Sequence, residues 1–140
     1  MSIDELVNFY ETLSPADVDR FPEFYAENAY FKDPFNEVSG IDAIQGIFGH
    51  MFRQVGAPRF VVDERIVSAN GAMLVWRFHF RIRPWRGGPL TLRGVSHLKF
   101  DADGKVSYHR DYWDAAEELY MKLPGLPPPL PPPPKALGSR

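Results

Sequence analysis

The chain has 140 residues, the size of one domain, and a formal net charge of −2. That charge gives no general attraction to phosphate backbones, and with no cysteine there is neither a disulfide framework nor a thiol nucleophile. The N-terminal residues are acidic and amphipathic, without the basic start and apolar run of a leader. No apolar run nears the roughly 20 residues that span a bilayer, so the expectation is a soluble, cytoplasmic protein with no membrane or nucleic-acid partner. Aromatic residues make up 14% of the chain, more than a small core needs, which points to an aromatic-lined cavity or interface.

Ser2 and Glu5 are spaced as a capping box, and Leu6, Phe9, Tyr10 and Leu13 follow at helical spacing. Ser14-Pro15 starts a second short helix, with Pro22 expected to kink or break it. Residues 29–32 read as a short strand stopped by Asp33-Pro34, and residues 35–40 as a loop. Ile41, Ile44, Phe48, Met51, Phe52 and Val55 form the stripe of a third helix, ended by Gly56-Ala57-Pro58.

The second half is strand-like. Residues 60–67, 73–83, 90–100 and 106–113 read as strands. Turns are expected at Asn70-Gly71, Gly87-Gly88 and Asp103-Gly104. Residues 115–122 suit a short helix. From Leu123 the run LPGLPPPLPPPPKALGSR holds eight prolines, which favours an extended polyproline tail outside the core. The domain is therefore set at 1–123 and the tail at 124–140. The fold class is α+β: a curved antiparallel sheet wrapped around about three N-terminal helices, a cone-shaped barrel with one pocket at its open end.

Strand alternation decides which polar groups can meet. In residues 73–83 the even positions, Trp76, Phe78 and Phe80 among them, are apolar, while the odd positions include Arg77 and His79. In the last strand His109 and Asp111 share the odd face with Trp113. An indole is rarely left in water, so that face is expected to line a cavity. If the odd face of 73–83 does the same, Trp76, Phe78 and Phe80 point outward, and an apolar patch of that size marks an interface, hence an expected homodimer. Asp33, between Phe31 and Phe35, is either a turn residue or a general base in an apolar setting. His50 is expected on the surface and His97 on the exterior. No two histidines fall at i, i+4, and there is no Gly-rich phosphate loop or G-x-S-x-G elbow, so neither metal nor cofactor is expected.

The run AENAYFKDPF followed by SGIDAIQGIF, with the later GVSHLKFDADGKVSYHRDYWD, resembles the nuclear transport factor 2-like superfamily over roughly residues 2–123. The resemblance implies the cone fold, which hosts isomerases, hydrolases, cyclases and non-catalytic binders. Against ketosteroid isomerase it implies a general base at Asp33, a Ser where an oxyanion-hole Asp stands at Ser96, and that family's tyrosine near Phe9 or Tyr10. It also implies a pocket lined by His109, Asp111 and Trp113. Against limonene epoxide hydrolase it puts the Arg-x-Asp pair on Arg77 and His79, the second Asp on Asp111, and the water-holding residues on Phe31 and Asp33. Polyketide cyclases of the superfamily use His and Asp as acid/base partners.

These readings lead to one expected site. Asp33, Asp111, His109, Arg77 and His79 would carry chemistry, and Phe31, Phe35, Ser96, Trp113 and Tyr10 would touch a small apolar molecule. The expected protein is a cofactor-free acid/base enzyme of isomerase, hydrolase or cyclase type, the alternative being a non-catalytic ligand-binding or interaction module.

Overall fold

The structure, a computed structural model, describes residues 1–82 and 88–118. The proline-rich tail, most of the turn expected around Gly87-Gly88 and the end of the last helix lie outside the described residues.

Helix α1 (Ile3–Glu11) starts where Ser2 Oγ accepts the Glu5 N–H at 3.1 Å. Its apolar side buries Leu6, Val7, Phe9 and Tyr10. Pro15–Glu23 is a 3₁₀ helix that runs through Pro22 without breaking. At its start Asp17 Oδ2 accepts the Ser14 N–H at 2.9 Å, which closes the turn. α2 (Ile41–Gln54) follows, and its buried side carries Ile44 and Phe48. The helices meet through rings: Phe9 stacks on Phe24 at 4.3 Å, and Phe21 contacts Phe48 at 4.8 Å.

Six strands form one sheet: β1 (Tyr25–Lys32), β2 (Glu37–Ser39), β3 (Val55–Val67), β4 (Gly71–Ile82), β5 (Leu90–Phe100) and β6 (Val106–Tyr112). Their order is β2-β1-β6-β5-β4-β3. All neighbours are antiparallel except β1 and β6, which run parallel with Phe31 beside His109. A short α3 (Ala115–Glu118) closes the described chain, and its Glu118 carboxylate accepts from the Arg93 N–H at 2.7 Å. Among the described residues no helix is long and apolar enough to cross a membrane.

Three elements differ from their sequence limits by more than the one or two residues seen at the ends of β4 and β6. β1 begins at Tyr25 rather than 29, because Tyr25 pairs with Val106 and the register slips between Tyr25 and Tyr30. β3 begins at Val55, straight after α2. It absorbs Gly56-Ala57-Pro58 at a register shift where Ala57 has φ 49°. Being an edge strand, it tolerates a proline without a ladder N–H. Residues 37–39, expected as loop, form edge strand β2, with Val38 opposite Phe31.

The larger correction concerns which face is inside. Ser96 sits between Leu74 on β4 and Asp111 on β6. Even positions of β4 therefore share the inner face with odd positions of β6. Trp76, Phe78 and Phe80 are 6%, 7% and 4% exposed and point into the cone. The outward dimer patch expected of these three residues does not exist, because they are the chamber's own wall.

Gly94 pairs with Trp76 across β4–β5 on that inner face. A Cβ there would stand 2.4 Å from the indole, so the missing side chain is the seat of the ring. Gly94→Ala is expected to cost about 1–3 kcal/mol by overpacking. It should lower the urea midpoint; an unchanged midpoint would show that the indole has room to retreat.

Candidate active site

The concave face of the sheet and one side of α2 border an open-mouthed cavity of about 820 Å³. Phe31, Phe60, Phe78, Phe80 and Trp113 give it a mostly apolar wall, as binding sites for small molecules usually have. A second space of about 20 Å³ lies among Tyr10, Leu74, Ser96 and His109. Asp111 and Trp76 border both.

The polar groups between the two spaces form one hydrogen-bonded chain. Tyr10 Oη lies 2.6 Å from Tyr25 Oη, and Tyr25 Oη lies 2.6 Å from His109 Nδ1. His109 Nε2 lies 2.7 Å from Asp111 Oδ1. From the other side Trp76 Nε1–H donates to Ser96 Oγ at 2.8 Å, and the Ser96 hydroxyl donates to the same Asp111 Oδ1. No buried side-chain nitrogen or oxygen among the described residues lacks a partner.

With His109 neutral and Asp111 ionised, the protons in this chain have one consistent arrangement. A carboxylate only accepts, so the hydrogen between His109 and Asp111 sits on Nε2. Nδ1 then accepts from Tyr25, and Tyr25 accepts from Tyr10. Both phenols stay protonated in the fold. Burial, foremost, disfavours their charged forms and pushes Tyr10 and Tyr25 well above the ordinary tyrosine value. His109 is 3% exposed, so its ring is a buried link, while Asp111 at 16% still meets the cavity. Among the described residues, Asp111 Oδ2 makes no hydrogen bond.

Six of the residues expected at the site are brought together around this cavity and chain: His109, Asp111, Ser96, Tyr10, Phe31 and Trp113. Asp33 and Phe35 line the larger cavity at its rim. There Asp33 Oδ1 accepts the N–H groups of Phe35 at 2.8 Å and Asn36 at 2.7 Å, so the carboxylate closes its own turn. Phe35, 55% exposed, meets Trp113 edge to face at 5.5 Å. His50 is exposed, as expected, yet lines the cavity. His97 packs on Tyr108 at 5.3 Å.

Arg77 and His79 are not part of the site. They occupy odd positions of β4, opposite to its inward rings. Arg77 forms a two-pronged pair with Asp63, Nε to Oδ2 and Nη2 to Oδ1 both at 2.8 Å, where β3 shifts register. This arginine holds the Asp63 carboxyl below its usual range. His79 Nδ1 lies 2.9 Å from Thr91 Oγ1. The sequence reading also missed Tyr25 and Trp76. Tyr25 lay ahead of the strand expected at residues 29–32, and Trp76 was assigned to the wrong face.

The buried tyrosines set an alkaline limit. Their raised pKa means that unfolded chains release these protons first, so the stability from neutral burial is present below pH 10.0, the ordinary value, and is lost as pH rises further. Each phenol should steepen the loss by about 1.4 kcal/mol per pH unit. Urea midpoints followed above that pH should fall less steeply in Tyr10→Phe than in the wild type. Equal slopes would mean that Tyr10 ionises without unfolding.

The chain matches known proteins at the level of family and fold. The model of the SnoaL-like domain matches residues 6–109. A hypothetical protein with a ketosteroid isomerase-like fold from Catenulispora acidiphila, solved in complex with trimethylamine, superposes with a TM-score of 0.74 at 12% identity, covering 93% of this chain and 96% of that one. A protein assigned as a SnoaL-like polyketide cyclase from Jannaschia sp. CCS1 gives 0.74 at 17%, covering 90% and 92%. An LEH-like epoxide hydrolase of M. tuberculosis gives 0.67 at 15%, covering 86% and 81%. At these identities the likeness is one of fold. No curated protein matches the chain.

Proposed function

This chain belongs to the SnoaL-like domain family, and we propose that within it the protein is a cofactor-free acid/base enzyme acting on a small, mostly apolar molecule in the cone cavity. The observation that supports this is Asp111. One of its oxygens is held by two donors, His109 and Ser96, its other makes no hydrogen bond among the described residues, and the residue lines the aromatic chamber.

Asp111 is the general base. Its cavity-facing oxygen takes a proton from a carbon beside a carbonyl, or from a water, and then returns it as a carboxylic acid. The hydrogen bonds on Oδ1 orient the carboxylate. His109 is a positioning residue that presents Nε2–H to Asp111, and Tyr25 fixes that tautomer from behind. The aromatic walls exclude water and favour an apolar substrate over bulk solvent. The reaction type is that of an isomerase, hydrolase or cyclase; the family and its fold relatives include cyclases and epoxide hydrolases.

Asp33 is assigned no chemistry here, because its carboxylate is committed to the turn. Screening compact carbonyl, epoxide and hydroxyl compounds against single variants tests this division. Asp111→Asn is expected to lose about 10²–10⁴ of the rate found for the wild type. Asp33→Asn should affect stability more than turnover. Wild-type turnover by Asp111→Asn would overturn the assignment.

A second reading has its own support: every buried side-chain nitrogen and oxygen among the described residues has a partner without any ligand. The protein would then be a binding module with an internal network that only shapes the cavity. A bound compound recovered chemically unchanged after long incubation, at every member of the panel, favours that reading.

A further inference from the structure

The cavity has a polar side that the proposed base does not use. α2 turns Ala43, Gly46, His50 and Arg53 toward it. Their spacing places them in one stripe along the helix. The first two are small, and no heavy atom lies within 4 Å of where Gly46 would carry a Cβ. The last two are a histidine and an arginine, both exposed at the rim.

Arg53 folds back along α2, with Nη1 3.6 Å from the position a Gly49 Cβ would take. Arg20, Arg65, Arg77 and Arg93 each pair with a carboxylate. Arg53 makes no such pair among the described residues, although Asp33 and Asp111 line the same cavity. Asp33 is closed on Asn36, and Asp111 lies further in against His109 and Ser96. The chamber thus carries the Asp111 carboxylate beside His109, the turn-bound Asp33 carboxylate at its rim and the Arg53 guanidinium on α2, with aromatic rings along its wall.

We propose that the cavity takes a carboxylate-bearing amphiphile, with the acid group on Arg53 beside His50 and the apolar body among the aromatic rings. This rests on the enzyme reading above and names its substrate class. A guanidinium matches a carboxylate with two parallel N–H donors, a geometry that a neutral alcohol cannot use. The Asp111 charge repels the acid group from the inner end. Both charges therefore set one orientation, which brings the apolar part of the molecule to the base.

The test displaces the neutral fluorophore N-phenyl-1-naphthylamine from the full chain with decanoate, decan-1-ol or decyltrimethylammonium. At low salt decanoate is expected to compete roughly fivefold better than the alcohol, which is what an exposed ion pair supplies. In Arg53→Gln, or at about 0.5 M salt, that advantage should vanish while the alcohol is unchanged. The proposal is overturned if alcohol and acid compete equally in the wild type, or if the acid keeps its lead in Arg53→Gln. It is also overturned if decyltrimethylammonium competes best, since the carboxylates would then set the preference. These outcomes leave the cavity and Asp111 untouched. If the fluorophore fails to bind at all, the cavity reading falls together with this one.

Discussion

A carboxylate set among aromatic rings has to be held by donors, and the architecture follows from how Asp111 is held. Its Oδ1 receives His109 from the same strand and Ser96 from the next. Behind them stand Tyr25 on β1, Tyr10 on α1 and Trp76 on β4. Five elements thus contribute to one chain of hydrogen bonds. In low dielectric such bonds are strong when complete and costly when broken. A shift of α1 or β1 by one residue would leave a phenol or an imidazole buried without a partner, at about 1–3 kcal/mol for each group. The polar chain therefore specifies the register of the sheet as well as the orientation of the carboxylate.

The same chain divides the interior into two regions. On one side the aromatic cluster of Phe9, Phe21, Phe24 and Phe48 packs the helices together as ordinary core. On the other side the rings of β4 face the cavity, which α2 borders with the small Ala43 and Gly46 as well as the larger Ile47, Phe48 and Met51. The two small residues leave open space on that side of the helix, where no heavy atom lies within 4 Å of a Gly46 Cβ position. Gly94 serves this division directly. It lets the Trp76 indole lie flat enough against β5 for its N–H to reach Ser96.

Much of the fold was legible in the sequence, for local reasons. The serine start of α1, the stripe of α2 and the limits of β5 are set by neighbouring residues, so periodicity and turn chemistry find them. What failed was non-local. Which face of β4 turns inward depends on how β5 aligns with both of its neighbours, and alternation within one strand carries no such information. The reading used odd positions on β4 and β6 alike, although Ser96 joins even to odd across β5. His109, Asp111 and Trp113 were found because an indole on their face identified it as inner. Arg77 and His79 were misplaced for want of such a marker. Tyr25 was hidden by the parallel pairing of β1 with β6, a contact between residues 84 apart in the chain at His109.

Two aspartates border the same cavity, and what separates them is the source of their hydrogen bonds. Asp33 accepts from two backbone N–H groups of its own turn, and from the Asn36 side chain with both oxygens, at 3.1 and 3.2 Å. Both of its oxygens are thus engaged, and a proton on Oδ2 would cost it the Asn36 side-chain contact there. Asp111 accepts on one oxygen alone, from groups fixed by four other parts of the fold. Adding a proton to its free oxygen leaves those contacts in place. A base must change charge without losing its position, and of the two carboxylates only Asp111 is built to do so.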